Sequence, residues 1–372
     1  MIVHILPETE PFSEYHGGAL SRWAANVLQG DTQSLIIAPS TDSSWSFPSE
    51  GVRCLPGLSR YRQIRQVFRY RLPKSLERKW LKALFTSSLS LKAGDTVWIH
   101  NRPEFAIALS SVVRSANARL VLHLQNSHLK TFSTKLIRLA HIDKLVFCSE
   151  YLRKESLEVH PGVSGSIVIY NGASQELFYP PPDGRSQRNK PPIILYVGRL
   201  VPEKGVHVFL AAIRLLTERR VDVRGLVVGA PAFGQNEMTP YVQQLKTTAP
   251  PNVHFHQYCS GRPLADKFGE ADIFCCPSMW DEPFGLVNVE AMASGLPVVA
   301  TDTGGIPEIF SDGGAILVKR GSAVSLADAL ERLALDPARR WRVGQQGYSS
   351  FLKRFTWTTI RDNYEEAVRS ME

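Results

Sequence analysis

Two glutamates, Glu282 and Glu290, bracket the run Pro-Phe-Gly-Leu-Val-Asn-Val, and two cations, Arg199 and Lys204, bracket Leu-Val-Pro-Glu. The first run predicts a helix starting near Gly285, so that the free N–H groups of Gly285, Leu286 and Val287 point out of its N-terminus. An anion such as a diphosphate suits that position, and Gly285, with no Cβ, lets it approach closely. Glu290 lies about one and a half turns on, where a carboxylate can accept hydrogen bonds from a ribose diol. Glu282 and Phe284 sit in the preceding loop, where Glu282 can accept them from a sugar. Singly, the simpler reading is favoured for each, Glu282 as a charge at a helix N-terminus and Glu290 as a solvated or core-satisfied residue. The downstream Thr-Asp-Thr-Gly-Gly-Ile-Pro-Glu adds a strand followed by a Gly304-Gly305 loop at the same sheet edge.

Arg199 and Lys204 follow a strand and flank a tight turn, the placement needed to neutralise a departing diphosphate; their alternative is two ordinary surface cations. In the other half, His16-Gly17-Gly18 lies between a strand and a helix, and Gly17 and Gly18 would let backbone approach a phosphate or sugar. His123, near the end of a strand, is placed either to donate to a transferred sugar or to serve as a structural core residue. No HExxH, no acidic pair after a strand and no His/Cys cluster stands out. The expected chemistry therefore uses no metal and no cofactor, fixed charges and helix dipoles taking the place of a divalent cation.

These residues need strands and helices to hold them. Short β-branched runs alternate with helical ones: Ile2–Leu6, a helix from Ala19, Ser34–Ala38, Thr96–Ile99, a helix from Glu104, Leu120–Leu124, Leu145–Cys148 and Ile167–Tyr170. That is the rhythm of a doubly wound parallel α/β sheet. A polar, proline-rich stretch after Tyr179 reads as a linker. The rhythm restarts at Ile193–Val197 and runs to Ala315–Val318, and the chain ends in a helix with Trp357, Ile360, Tyr364 and Val368 on one stripe. The expected domains are 1–180, 181–355 and a terminal helix over 356–372. Ligands of such sheets bind beyond the carboxyl ends of the strands, here in a cleft expected between the two domains.

With 372 residues and 44% hydrophobic content, two packed domains are expected. Five cysteines at 54, 148, 259, 275 and 276 show neither zinc spacing nor a disulfide framework, which favours a reducing compartment. No apolar run is long enough to span a bilayer and the first residues read as a strand, so a cytoplasmic protein is expected. The formal charge of +8 is local: Arg60 to Lys82 holds nine cations and one acidic residue, Glu77. Ile64, Val67, Phe68 and Leu72 recur among arginines at helical spacing until Pro73. Arg62, Arg65 and Arg69 are thus candidates for contact with an anionic membrane surface or a phosphate-bearing acceptor, the alternative being a solvated helix face. A single basic segment without a nucleic-acid motif argues against nucleic-acid binding.

Taken together, His16-Gly-Gly, His123, Ile169-Tyr-Asn-Gly172, the Gly198-Arg-Leu to Glu-Lys-Gly205 turn, the Glu282/Glu290 pair and Thr303-Gly-Gly-Ile-Pro-Glu308 resemble family 4 glycosyltransferases over nearly the whole chain. The resemblance implies the GT-B fold, two Rossmann-like domains. It also implies transfer with retention from a nucleotide-diphosphate sugar, UDP favoured, to a glycan or lipid-linked acceptor of cell-surface polysaccharide or lipopolysaccharide synthesis. On the same basis Arg199 and Lys204 would bind the diphosphate, Glu290 the ribose and Glu282 the sugar. The Gly17-Gly18 loop would close over the phosphates, His123 would contact the sugar, and the leaving phosphate would help deprotonate the acceptor in a front-face displacement. The competing reading is an epimerase or phosphorylase of the same fold. One departure is Gln29-Gly-Asp-Thr-Gln where many relatives have Arg-Gly-His-x-Val.

Overall fold

The computed structural model describes residues 1–13, 18–41, 51–67, 73–161, 165–181, 191–232 and 238–371. Contacts divide the chain into two compact units, one of Met1–Asn171 with Arg361–Glu372, the other of Gly172–Ile360. The boundary falls before the proline-rich stretch because the intervening residues pack on the second unit. Ala173 N–H donates to Phe355 O at 3.0 Å, and the Phe178 ring meets Phe268 edge-on at 5.4 Å. Residues 182–190 of the expected linker lie outside the described residues.

In the first unit, β1 (Ile2–Ile5), α1 (Ala19–Val27), β2 (Ser34–Ala38), β3 (Val52–Cys54), α2 (Pro56–Val67) and α3 (Lys74–Thr86) come first. They are followed by β4 (Thr96–His100), α4 (Pro103–Ser115), β5 (Arg119–Leu124), α5 (Thr134–Leu139), β6 (Lys144–Phe147), α6 (Glu150–Val159) and β7 (Ser166–Val168). The seven strands are parallel in the order β3-β2-β1-β4-β5-β6-β7. Apolar residues on both faces of β4 and β5 are buried, as parallel strands covered by helices require.

The second unit continues with β8 (Ile193–Val197), α7 (Val206–Glu218), β9 (Arg224–Val228), α8 (Pro240–Thr248), β10 (Val253–His256), α9 (Gly261–Glu270) and β11 (Ile273–Cys276). Its remaining elements are α10 (Leu286–Ala293), β12 (Val298–Thr301), α11 (Ile306–Ile309), β13 (Ala315–Val318), α12 (Ala323–Leu335) and α13 (Pro337–Arg354). Its sheet runs β10-β9-β8-β11-β12-β13, also parallel. In both sheets the order reverses beside the first strand, at β1/β4 and at β8/β11, which are the topological switch points of doubly wound sheets. The last helix, α14 (Trp357–Arg369), contributes its residues from Arg361 onward to the first unit.

One face of the first sheet is filled by rings. His4 Nδ1 lies 3.1 Å from His100 Nε2, His4 Nε2 lies 3.0 Å from Tyr364 Oη, and Trp23, Trp98 and His123 complete the cluster. Burial pushes His4 and His123 down to about 3, and lowers His100 as well, because an imidazolium there would lose its hydration. In the unfolded chain the same groups titrate near about 6.5. Between those values the unfolded state binds more protons, so stability is full above about pH 6.5 and falls on acidification, by about 1.4 kcal/mol per pH unit for each such histidine. Equilibrium unfolding followed by tryptophan fluorescence should show this slope between about pH 6.5 and about pH 4, and His123→Leu should flatten it; an unchanged slope in the variant would count against the buried neutral imidazole.

Candidate active site

At the β8/β11 switch point the backbone itself builds the site. Tyr196 Oη donates to Arg199 O at 2.9 Å and shapes the turn after β8, while Leu200 N–H bonds Ala230 O at 2.9 Å. The turn closes through a short 3-10 segment, Pro202–Lys204, into Gly205 at φ +73°. A Cβ on Gly205 would overlap the Pro277 carbonyl, so only glycine lets the loops after β8 and β11 touch there. Met279 N–H donates to Glu203 O at 2.8 Å and locks them in register.

That contact brings Lys204 to Glu282. Lys204 Nζ and Ser278 Oγ each donate to Glu282 Oε1 at 2.6 Å, and Lys204 Nζ stands 5.1 Å from the centre of the Trp280 ring. Ser278 is fixed in turn by Thr301 Oγ1, which donates to its carbonyl at 2.9 Å. The loop carrying Glu282 is backed by the glycine pair after β12. Gly304, at φ +58°, packs on the Glu282 backbone, and Gly305 N–H donates to Glu282 O at 2.7 Å. Thr303 Oγ1 donates to Asp281 Oδ1 at 2.5 Å and Arg320 adds a second bond at 3.0 Å.

Gly285, at φ +101°, caps α10, and the N–H groups of Leu286 and Val287 fall in its first turn, where helical geometry offers no acceptor. Those three residues are partly exposed, whereas Phe284, Asn288 and Glu290 are buried. Arg199 is exposed, and no hydrogen bond or ion pair of its side chain occurs among the described residues. The second unit alone therefore gathers Arg199, Lys204, Glu282, Phe284, Gly285, Leu286, Val287 and Glu290 at one switch point. Ser278 and Thr301 join Thr303 in orienting the glutamate loop, and the one sign of these two in the sequence is their position at strand ends.

The first unit differs from the sequence expectation in three places. His123 is fully buried, its ring edge-on to Trp23 at 4.8 Å and 5.2 Å from His100, so it packs in the core instead of presenting a nitrogen to a sugar. What the end of β5 does present is Gln125, whose side chain donates to Asn171 Oδ1 at 2.7 Å and whose N–H meets Asn101 Oδ1 at 3.3 Å. Gly17 lies outside the described residues. At Gly18 the N-terminus of α1 is occupied by the chain's own Glu10: Ser21 N–H donates to Glu10 Oε1 at 3.2 Å, and a Cβ on Gly18 would stand 2.6 Å from that oxygen. Burial outweighs these bonds and raises the Glu10 carboxyl above the usual range.

Thirdly, Arg65 is not a free surface cation. It bonds Glu104 at 2.9 Å and Glu8 at 3.2 Å, with Glu77 at 3.7 Å, and Arg102 holds Glu8 from the other side at 2.6 Å. Arg62 is exposed, and Arg69 lies outside the described residues. The basic run is two helices, α2 and α3, with Pro73 as N-cap of the second.

Two parallel, doubly wound sheets of this strand order make up the GT-B fold. Residues 183–350, within the second unit, match the family profile of the glycosyl transferases group 1. It is 27% identical over 293 residues to spore coat protein SA of Bacillus subtilis, covering 72% of this chain and 76% of that one. It is 28% identical over 268 residues to the lipopolysaccharide 1,2-N-acetylglucosaminetransferase of Salmonella typhimurium, covering 69% and 68%. Among solved structures, Anabaena HepE in complex with UDP shares the fold, with a TM-score of 0.75, 19% identity and 99% of each chain covered.

Replacing Lys204 by Met would leave the Glu282 carboxylate buried with one partner fewer. Breaking a fully buried pair costs about 3–5 kcal/mol; since the Lys204 side chain keeps 21% of its exposure, about 2 kcal/mol is expected by urea denaturation. Adding Glu282→Gln should recover most of it, and a double variant no more stable than Lys204→Met would sever the link between the two.

Proposed function

We propose that the chain transfers a hexose or N-acetylhexosamine from a UDP-sugar, with retention and without a metal ion, to a glycan or lipid-linked acceptor of cell-surface polysaccharide or lipopolysaccharide synthesis. The observation that carries this reading is the meeting of Lys204 with Glu282 beside the open first turn of α10. In it, Arg199, Lys204 and the N–H groups of Leu286 and Val287 take the diphosphate, so that fixed charges meet the negative charge that grows as the leaving group departs. Glu290 takes the ribose diol. Glu282, already accepting from Lys204 and Ser278 through Oε1, has Oε2 for a hydroxyl of the donor sugar.

Because Lys204 and Ser278 fix the glutamate before any ligand arrives, little reorganisation is left for the chemical step. The leaving phosphate takes the acceptor proton in a front-face displacement, which accounts for retention without a protein base. UDP is favoured by the fold shared with HepE, which was solved with that nucleotide. A lipid-linked acceptor agrees with the exposed cations Arg60, Arg62, Lys74, Lys79 and Lys82 beside exposed Val67 and Leu76 on α2 and α3, a face suited to anionic headgroups.

Thermal shift in EDTA tests the donor site. UDP or a UDP-sugar at about a hundred times its Kd should add about 2.7 kcal/mol of stability. Glu290→Ala should respond less. Arg199→Ala should weaken the nucleotide about ten- to a hundredfold, a charge-assisted contact being worth about 1.5–3 kcal/mol, with the unliganded melting temperature unchanged because the side chain is exposed. Binding that appears only after a divalent ion is added would overturn the metal-free reading, and product of inverted anomeric configuration by NMR would overturn retention.

A further inference from the structure

The second unit carries a surface that the donor site does not use. From Arg332 to Arg354 the sequence has six cations and one acidic residue, Asp336, and α13 itself has no acidic residue along its 18 positions. Asp336 is spent as the helix N-cap, accepting from Arg339 N–H at 2.8 Å. The nearest acids of α12, Asp328 and Glu331, are both held by Arg219 at 2.7 Å. Two of the cations are structural. Arg340 donates to the carbonyls of Leu333 and Ala334, and Arg354 to those of Ile309 and Glu308. Among the described residues, Arg332, Arg339, Arg342 and Lys353 have no ion-pair partner.

Between these free cations stand large apolar side chains facing water: Leu335 is 65% exposed, Trp341 57% and Leu352 43%. Ala338, Trp341, Arg342, Gln345, Ser349, Leu352 and Lys353 form the outer stripe of α13, about 16 Å from Trp341 to Leu352 at helical rise. The opposite side of the helix is set too close to its support to roll. A Cβ on Gly344 would overlap the Gly295 carbonyl, and one on Gly347 would stand 3.4 Å from Met292 Cγ of α10. The stripe is therefore held outward by the packing beneath it.

We infer that the outer face of α13, with Leu335 at the end of α12, docks on a bilayer surface bearing anionic headgroups, separately from α2 and α3. Indole and leucine side chains enter the interfacial layer while unpaired guanidinium groups meet lipid phosphates, and the lack of acidic residues along α13 removes the opposing repulsion. The occupant is a lipid surface because the face combines net positive charge with isolated, protruding apolar groups. This surface lies on the back of the helix that packs against α10.

Flotation of the whole chain with phosphatidylcholine vesicles, with and without phosphatidylglycerol, tests it. Wild type should float only with the anionic vesicles. Trp341→Ala and Arg342→Glu should each weaken that binding about tenfold, with UDP affinity unchanged, so that failure here is separable from failure of the donor site. Leu352→Ser, at the far end of the stripe, should act in the same direction, and melting temperatures check folding. Wild type that ignores anionic vesicles would overturn the inference. So would variants that bind as wild type does, or a wild-type dimer that Trp341→Ala converts to monomer without changing vesicle binding.

Discussion

The second unit of this protein depends on a backbone contact that tolerates no side chain, Gly205 pressed against the carbonyl of Pro277. The chain leaves β8, turns through a left-handed residue and returns within reach of the segment leaving β11. From that approach follow the Met279 to Glu203 hydrogen bond, the position of Lys204 and its bond to Glu282. The glycine pair at 304 and 305 repeats the device on the other side of the glutamate loop, fixing its backbone where a larger residue would push it away. Electrostatics then act on a carboxylate whose location packing has already decided.

The two units use buried polarity differently. In the second, buried Glu282 is compensated by a cation and a hydroxyl and stands beside an open helix end. In the first, three neutral imidazoles are packed among indole rings, and the paired charges Glu8, Arg65, Arg102 and Glu104 gather beyond the end of β1, in the last turn of α2 and at the start of α4. Glu10 satisfies the start of α1 from within the chain. Both solutions obey the rule that an uncompensated charge is not kept out of water.

Much of this was legible because it is local. The βαβ rhythm, the helix beginning at Gly285 and the Arg199 to Gly205 turn each follow from residues adjacent in sequence. What escaped depends on distant partners. Arg65 looked like one of many free arginines because its three carboxylates lie at 8, 77 and 104. His123 looked like a residue at a strand end, but a parallel strand covered on both faces buries even its last positions. The helix α13 carries no apolar stripe to read, since its packing face is Gly344, Gly347, Ser350 and Phe351. The domain boundary moved because Ala173 and Phe178, though before the proline run, find their partners in the second unit.

The bond between His4 and Tyr364 joins residues separated by nearly the whole chain. During synthesis the first unit leaves the ribosome long before the segment that covers His4 and Trp98 has been made. Until then that face of its sheet lacks its lid and must wait for the second unit to be completed. The protein thus has an order of assembly in which the earliest-made unit is the last to close, and a nascent chain arrested before residue 364 would carry an exposed aromatic face of the kind that chaperones hold.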